Sequence, residues 1–295
     1  MKTAILTGAT GFLGYWLLKE LINNDVFVYV LVRKNSKRRQ RLDGLLGIEI
    51  IEINMDKISD LTQYVKEADV FYHLAWEGER NDFTAQMNNI IWSVNAMKVA
   101  NQLNVKQFIM TGSQAEYGIC NQIVDENSSV NPNTAYGASK LACYNILKTL
   151  SQQILMPITW IRVFSVYGVG DNPNTLISYL FRCFKENEIP KLTNGNQLWD
   201  FLYVEDAANA LYLLGKKNRC GLYNLAFGKS YPLKEFIVEA RDLINPESGL
   251  DFNSNMSYNI VELRANVDKI KDELGWKPRV TFKDGILKMI RNQTM

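Results

Sequence analysis

Tyr136 and Lys140 stand one helical turn apart in Tyr136-Gly137-Ala138-Ser139-Lys140, which puts a phenol and an ammonium on one helix face. A free tyrosine titrates at about 10, too high to exchange protons readily at neutral pH. A neighbouring lysine charge, reinforced by an oxidised nicotinamide, stabilises the phenolate and lowers that value. Such a pair can protonate a carbonyl oxygen as hydride arrives, or take an alcohol proton as hydride leaves. By itself the spacing is a common accident, so its meaning rests on what surrounds it.

The segment Thr7-Gly8-Ala9-Thr10-Gly11-Phe12-Leu13-Gly14 supplies that context. It joins a strand-like run to a helix-like run at the head of the chain. A dinucleotide pyrophosphate needs a tight turn, backbone approach without a Cβ, and free N–H groups at a helix N-terminus. Gly8, Gly11 and Gly14 offer these in order, with a plain structural turn as the bland alternative. Cofactor choice falls to the end of the second strand. There Arg33 and Lys34 stand, with Lys37, Arg38 and Arg39 close behind and no carboxylate at the place NAD would want one. Arginine pairs with the extra phosphate of NADP, so NADP(H) is favoured and NAD(H) stays open; a solvated basic loop is the alternative.

Short β-branched strands alternate with helices through the first half. Strands are expected over 4–7, 26–32, 48–53, 69–74, 107–111 and 158–162, and helices over 11–23, 61–67, about 85–103 and about 135–153. This is the rhythm of an α/β fold, a Rossmann-type doubly wound parallel sheet. It breaks after Gly168. The expected division is a dinucleotide-binding domain over 1–168 plus about 200–225, and a smaller C-terminal α/β substrate lobe over 169–199 and 226–295. A helix at 204–214 is expected to return to the first domain.

The 295 residues are 47% hydrophobic and 22% charged with a net charge of +2, ordinary for a globular protein and without pull toward nucleic acid or anionic membrane. No signal peptide and no bilayer-spanning run is read, so a cytoplasmic protein with free thiols is expected. Cys120, Cys143, Cys183 and Cys220 form no CxxC pair, and His73 is the only histidine. No metal site is expected, and a Ser-His-Asp triad would have to use His73. Within the apolar run Val70–Ala75 that histidine reads as structural or cofactor-lining rather than as a catalytic base.

Taken together the chain resembles the extended short-chain dehydrogenase/reductase family of sugar-nucleotide epimerases, dehydratases and reductases. The resemblance runs through the glycine turn, Asp56, His73-Leu74-Ala75, Asn89, Thr111-Gly112-Ser113, Tyr117-Gly118 and Tyr136/Lys140. It continues in Arg162–Gly168, Asp200–Asp206 and Leu274–Pro278. It implies that Ser113 hydrogen-bonds the reacting oxygen beside Tyr136, that Asp56 contacts the adenine, and that Leu74 and Ala75 line the cofactor. It also implies that Arg264 clamps the substrate diphosphate. Gln114 and Ala115 replace the acid–base pair of the family's dehydratases, which argues against water elimination. Ser165 and Trp199 depart from the family's asparagine and arginine at substrate-contacting positions. Trp76 is read either as an aromatic wall near the sugar or as core.

A sugar-nucleotide 4-ketoreductase consumes reducing equivalents, which cells supply chiefly as NADPH. The basic segment therefore favours a 4-ketoreductase in deoxysugar or surface polysaccharide biosynthesis. A 4-epimerase with tightly bound NAD is the alternative, and a non-catalytic dinucleotide sensor the outsider. A homodimer through the helices at 85–103 and 135–153 is expected, with Tyr144 and Leu147 suited equally to interface or core.

Overall fold

The computed structural model describes residues 1–252 and 261–293, so residues 253–260 and 294–295 of the expected C-terminal lobe lie outside the described residues. Apolar β-branched runs form strands β1 (Thr3–Thr7), β2 (Phe27–Val32), β3 (Ile48–Glu52), β4 (Val70–His73), β5 (Gln107–Ser113) and β6 (Ile158–Val163). All lie parallel in one seven-stranded sheet of order 3-2-1-4-5-6, completed beyond β6 by Gly221–Leu225. The order reverses between β1 and β4, which opens a crevice at the carboxyl ends of those strands.

Successive residues of each strand feed opposite faces. Ala4 and Leu6 of β1 bury against Leu17, Leu18 and Leu21 of α1 (Phe12–Asn23), while Ile5 buries with Phe71 and Met97 on the other side. The second face is covered by α2 (Phe83–Gln102) and α3 (Ala135–Ile154). The first is shared between α1 and a helix from far along the chain. After α4 (Leu176–Lys185), α5 (Val204–Lys216) returns and lays Ala207, Ala210, Leu211 and Leu214 beside α1. A third apolar cluster gathers Tyr167, Phe181, Phe184, Phe201, Phe236 and Phe282, drawing on α4, α6 (Leu233–Ile244) and the last helix, Phe282–Gln293.

One expected helix is absent. In place of a helix at 61–67, a kinked stretch of 3-10 turns covers Met55–Gln63. Thr62 Oγ1 donates to the Ser59 carbonyl at 3.1 Å, a local side-chain bond of the kind that competes with helical pairing in a short crossover. No helix among the described residues is long and apolar enough to cross a membrane.

Candidate active site

A cavity of about 780 Å3 opens at the crevice, large enough for a cofactor. Thr7, Gly8, Thr10 and Gly11 form its floor, Arg33 and Lys34 one wall, Leu74 and Ala75 the other, and Asp56 lies at its β3 side. The turn closes through a Gly11 N–H to Gly8 carbonyl bond of 2.9 Å. Gly8 has φ +79°, and a Cβ there would come within 2.8 Å of the Ala75 nitrogen. A Cβ on Gly14 would sit 2.2 Å from the Gly8 oxygen. Only glycine allows α1 to pack this close to β1. The helix begins at Gly11 with no side-chain cap, so its first-turn N–H groups face the cavity end unsatisfied. A pyrophosphate fits that cradle. Phe12 and Leu13 lie in this first turn, but their side chains pack against the third apolar cluster.

Gln86 and Glu77 join the family residue Asn89 near this cavity in roles that the sequence does not show. Asn89, buried in α2, accepts from the Glu77 N–H at 3.0 Å and donates to the Glu77 carbonyl at 2.8 Å. Gln86, also buried, donates to the Glu79 carbonyl at 2.9 Å. The strap from Trp76 to Arg80 is thereby bound to α2. From it Glu77 forms an ion pair with Arg33, the residue expected to meet the 2′-phosphate. The carboxylate that meets the end of β2 comes from beyond β4 and not from beyond β2. The family signal at Asn89 was visible in sequence; its object, Glu77, was not.

His73 is fully enclosed at the end of β4. Its Nδ1 lies 2.9 Å from Thr7 Oγ1 and its Nε2 3.2 Å from Ser93 Oγ. Ser93 already donates to the Asn89 carbonyl, and Thr7 already accepts from the Ala75 N–H, so the network fits a neutral ring protonated at Nε2. Burial pulls its pKa down to about 3, with the Lys140 charge adding to the effect. His73 therefore lines the cavity as a neutral ring and carries no charge at neutral pH.

Ser113 ends β5 and opens a one-turn 3-10 helix, Gln114–Glu116, through a capping box. The Ala115 N–H donates to Ser113 Oγ at 3.1 Å and the Ser113 N–H to the Glu116 carboxylate at 2.8 Å. That carboxylate is buried and also accepts from Trp160 Nε1 at 3.0 Å and Arg162 Nε at 2.8 Å. Gly112 leaves the space it fills, since a Cβ there would meet Trp160 Nε1 at 2.1 Å and Glu116 Oε1 at 2.3 Å.

Thr134 caps α3, accepting from the Gly137 N–H at 3.1 Å, and so sets Tyr136 and Lys140 on its first turns. Burial pushes the Tyr136 phenol up, while its hydrogen bond with Ser113 and the Arg80 charge pull it back. Lys140 donates to the Thr111 carbonyl at 2.7 Å and lies 3.7 Å from the Trp76 ring centroid. Burial brings its pKa down to about 8, against the raising effect of Cys143 and Glu116. Trp76 also meets the Tyr136 ring edge-on at 6.3 Å and donates to Gln86 Oε1 at 2.7 Å. It lines the cavity and also packs against the apolar cluster under α2 and α3.

Gln114 follows Ser113 directly and is half-buried, while Ser165 begins a short strand, Ser165–Tyr167, paired with Phe201–Tyr203. Trp199 and Arg264 come side by side, because the Leu263 N–H donates to the Leu198 carbonyl at 2.9 Å. Arg264 pairs with Glu262 at 3.6 Å. Among the described residues the buried donors Trp199 Nε1 and Arg264 Nε have no hydrogen-bond partner, a condition suited to receiving a ligand's acceptors.

Residues 4–226 match the model of the NAD dependent epimerase/dehydratase family. The chain is similar to a putative UDP-glucose 4-epimerase of Methanocaldococcus jannaschii, 26% identical over 97% of this chain and 96% of that one. Its fold is that of the UDP-N-acetylglucosamine 4-epimerase of Methanobrevibacter ruminantium solved with UDP-N-acetylmuramic acid, with TM-score 0.87, 22% identity, and 99% and 98% of the two chains covered. It is equally that of the UDP-glucuronic acid 4-epimerase of Bacillus cereus solved with NAD, with TM-score 0.84, 21% identity, and coverage of 98% and 94%.

Proposed function

The chain belongs to the NAD dependent epimerase/dehydratase family, enzymes of the extended short-chain dehydrogenase/reductase type, and from that premise we propose that it is a UDP-sugar 4-epimerase working with retained NAD. The observation that carries the reading is the meeting of Ser113, Tyr136 and Lys140 beside Trp76, which itself lines a dinucleotide-sized groove. The names of the relatives turn the balance from the 4-ketoreductase toward the 4-epimerase, and from NADP toward NAD. The ion pair of Arg33 with Glu77 points the same way, because a guanidinium already neutralised is a poorer partner for a 2′-phosphate.

In this reading Tyr136 takes the proton of the sugar C4 hydroxyl and later returns it, and Ser113 hydrogen-bonds the same oxygen. Lys140 supplies the positive charge that favours the phenolate. A nicotinamide held in this groove would supply reversible hydride exchange at C4. Asp56 meets the adenine end, the turn with its Phe12 and Leu13 amides holds the pyrophosphate, and Arg264 with Trp199 grips the diphosphate of the substrate. Trp76, Gln114 and Ser165 border the sugar. The division of labour follows the expected lobes, with the sheet holding the dinucleotide and the part rich in aromatics holding the nucleotide sugar.

A 4-ketoreductase is the second reading, favoured by one observation: Lys34, Lys37 and Arg38 line the same cavity and remain for a 2′-phosphate even with Arg33 engaged. One experiment separates the two. The protein is incubated with UDP-glucose, UDP-N-acetylglucosamine and UDP-glucuronic acid plus NAD, and products are identified by NMR. Interconversion of C4 epimers without net NADH is expected. Stoichiometric loss of NADPH against a 4-keto sugar nucleotide, with no epimer formed, would overturn the first reading.

We further propose a homodimer through α2 and α3. Phe83, Met87 and Ile91 form an exposed apolar stripe on α2, and Ile146 is exposed on α3. Leu147 is buried in the core instead. Sedimentation should give a dimer for the native chain and a monomer for Ile91→Glu with Ile146→Glu.

A further inference from the structure

Arg33 follows β2 and Glu77 follows β4, and β1 lies between those strands in the sheet. Both side chains line the cavity, so their ion pair spans the groove above the carboxyl end of β1. A dinucleotide that reaches from the basic wall to Tyr136 has to cross that interval. Each end of the pair is held. Asn89 fixes both backbone groups of Glu77 from a buried position in α2. On the other side the Lys34 N–H donates to Asn54 Oδ1 at 3.1 Å and the Ser36 N–H to the Arg33 carbonyl at 3.1 Å, which ties the turn after β2.

We propose that Arg33 and Glu77 are cofactor-retaining residues that close across the groove over the bound dinucleotide and set its residence time. The inference rests on the dinucleotide-binding reading above and deepens it. A reaction that returns hydride to the same substrate gains nothing from cofactor exchange, so slow release suits it. The carboxylate is the informative partner. If Arg33 acted only by attracting the cofactor's phosphates, removing Glu77 would free its charge and slow release. If the two residues act as a closure, removing either one speeds release.

The test is the dissociation rate of NADH from the intact protein, followed by loss of NADH fluorescence on mixing with excess NAD. Glu77→Gln, Arg33→Gln and the reversed pair Arg33→Glu with Glu77→Arg are compared. An exposed ion pair contributes little to folding, so all three should fold. Each single variant should release NADH about fivefold faster, and the reversed pair should recover most of that loss. An unchanged or slower rate in Glu77→Gln overturns the closure while leaving the dinucleotide site intact. A native chain that neither carries retained NAD(H) nor binds added NADH saturably overturns the dinucleotide reading itself.

Discussion

At the scale of single residues the site depends on two protonation states held away from their solution values by burial. Tyr136 is raised and stays a phenol until a positive charge arrives beside it. Its replacement by Phe should cut turnover by about 10^2- to 10^4-fold while NADH affinity stays put. Unchanged turnover would make the tyrosine structural. Lys140, lowered to about 8, is charged at neutral pH and loses its proton just above it. The sign follows: kcat/KM should fall as pH rises past about 8, because the cation that favours the phenolate is gone. Lys140→Arg should move that alkaline limb upward, and a limb that stays in place would assign it to another group. Both residues were legible in the sequence, since their spacing and their place after the fifth strand carry the chemistry. Glu77 was not. Its partner is 44 residues away, and local spacing says nothing about which loops a parallel sheet brings to one edge.

At the scale of elements, the turn after β5 is the least tolerant part of the site. Glu116 ties Ser113, Trp160 and Arg162 together in a buried place. Removing it leaves the Arg162 guanidinium buried without its counter-charge, so Glu116→Ala should cost about 3–5 kcal/mol of stability. Chemical denaturation measures this directly, and a loss below about 1 kcal/mol would show that water or another group takes over. The strands and long helices were readable because their apolar periods differ, and β1 through β6 fall within a residue or two of expectation. The helix expected at 61–67 gives way to 3-10 turns over Met55–Gln63, where Thr62 bonds locally to Ser59, which composition alone does not reveal. Arg33, expected at the 2′-phosphate, lies in the lining of the groove, and its engagement with Glu77 is visible only in the fold.

For the whole molecule, acid stability should carry the signature of one buried ring. His73 has a pKa of about 3 when folded against an ordinary 6.5, so between those values the unfolded chain binds a proton that the folded chain refuses. Stability from this group is therefore lost as pH falls from about 6.5 toward 3. Asp200, raised to about 6 by burial, pulls the other way over part of that range. The melting temperature of His73→Asn should decline less steeply on acidification than that of the native chain, and parallel curves would clear His73 of the effect. The return of α5 to the face beside α1 has a further consequence, one of timing. Leu17, Leu18 and Leu21 have no complete cover until residues 204–216 have been made, and the outer strand of the sheet comes later still, at 221–225. The nucleotide-gripping half of the fold thus cannot finish by itself as the chain leaves the ribosome. It waits for a loop closure of nearly two hundred residues, and folding at that step is slow by topology rather than by weak local preference.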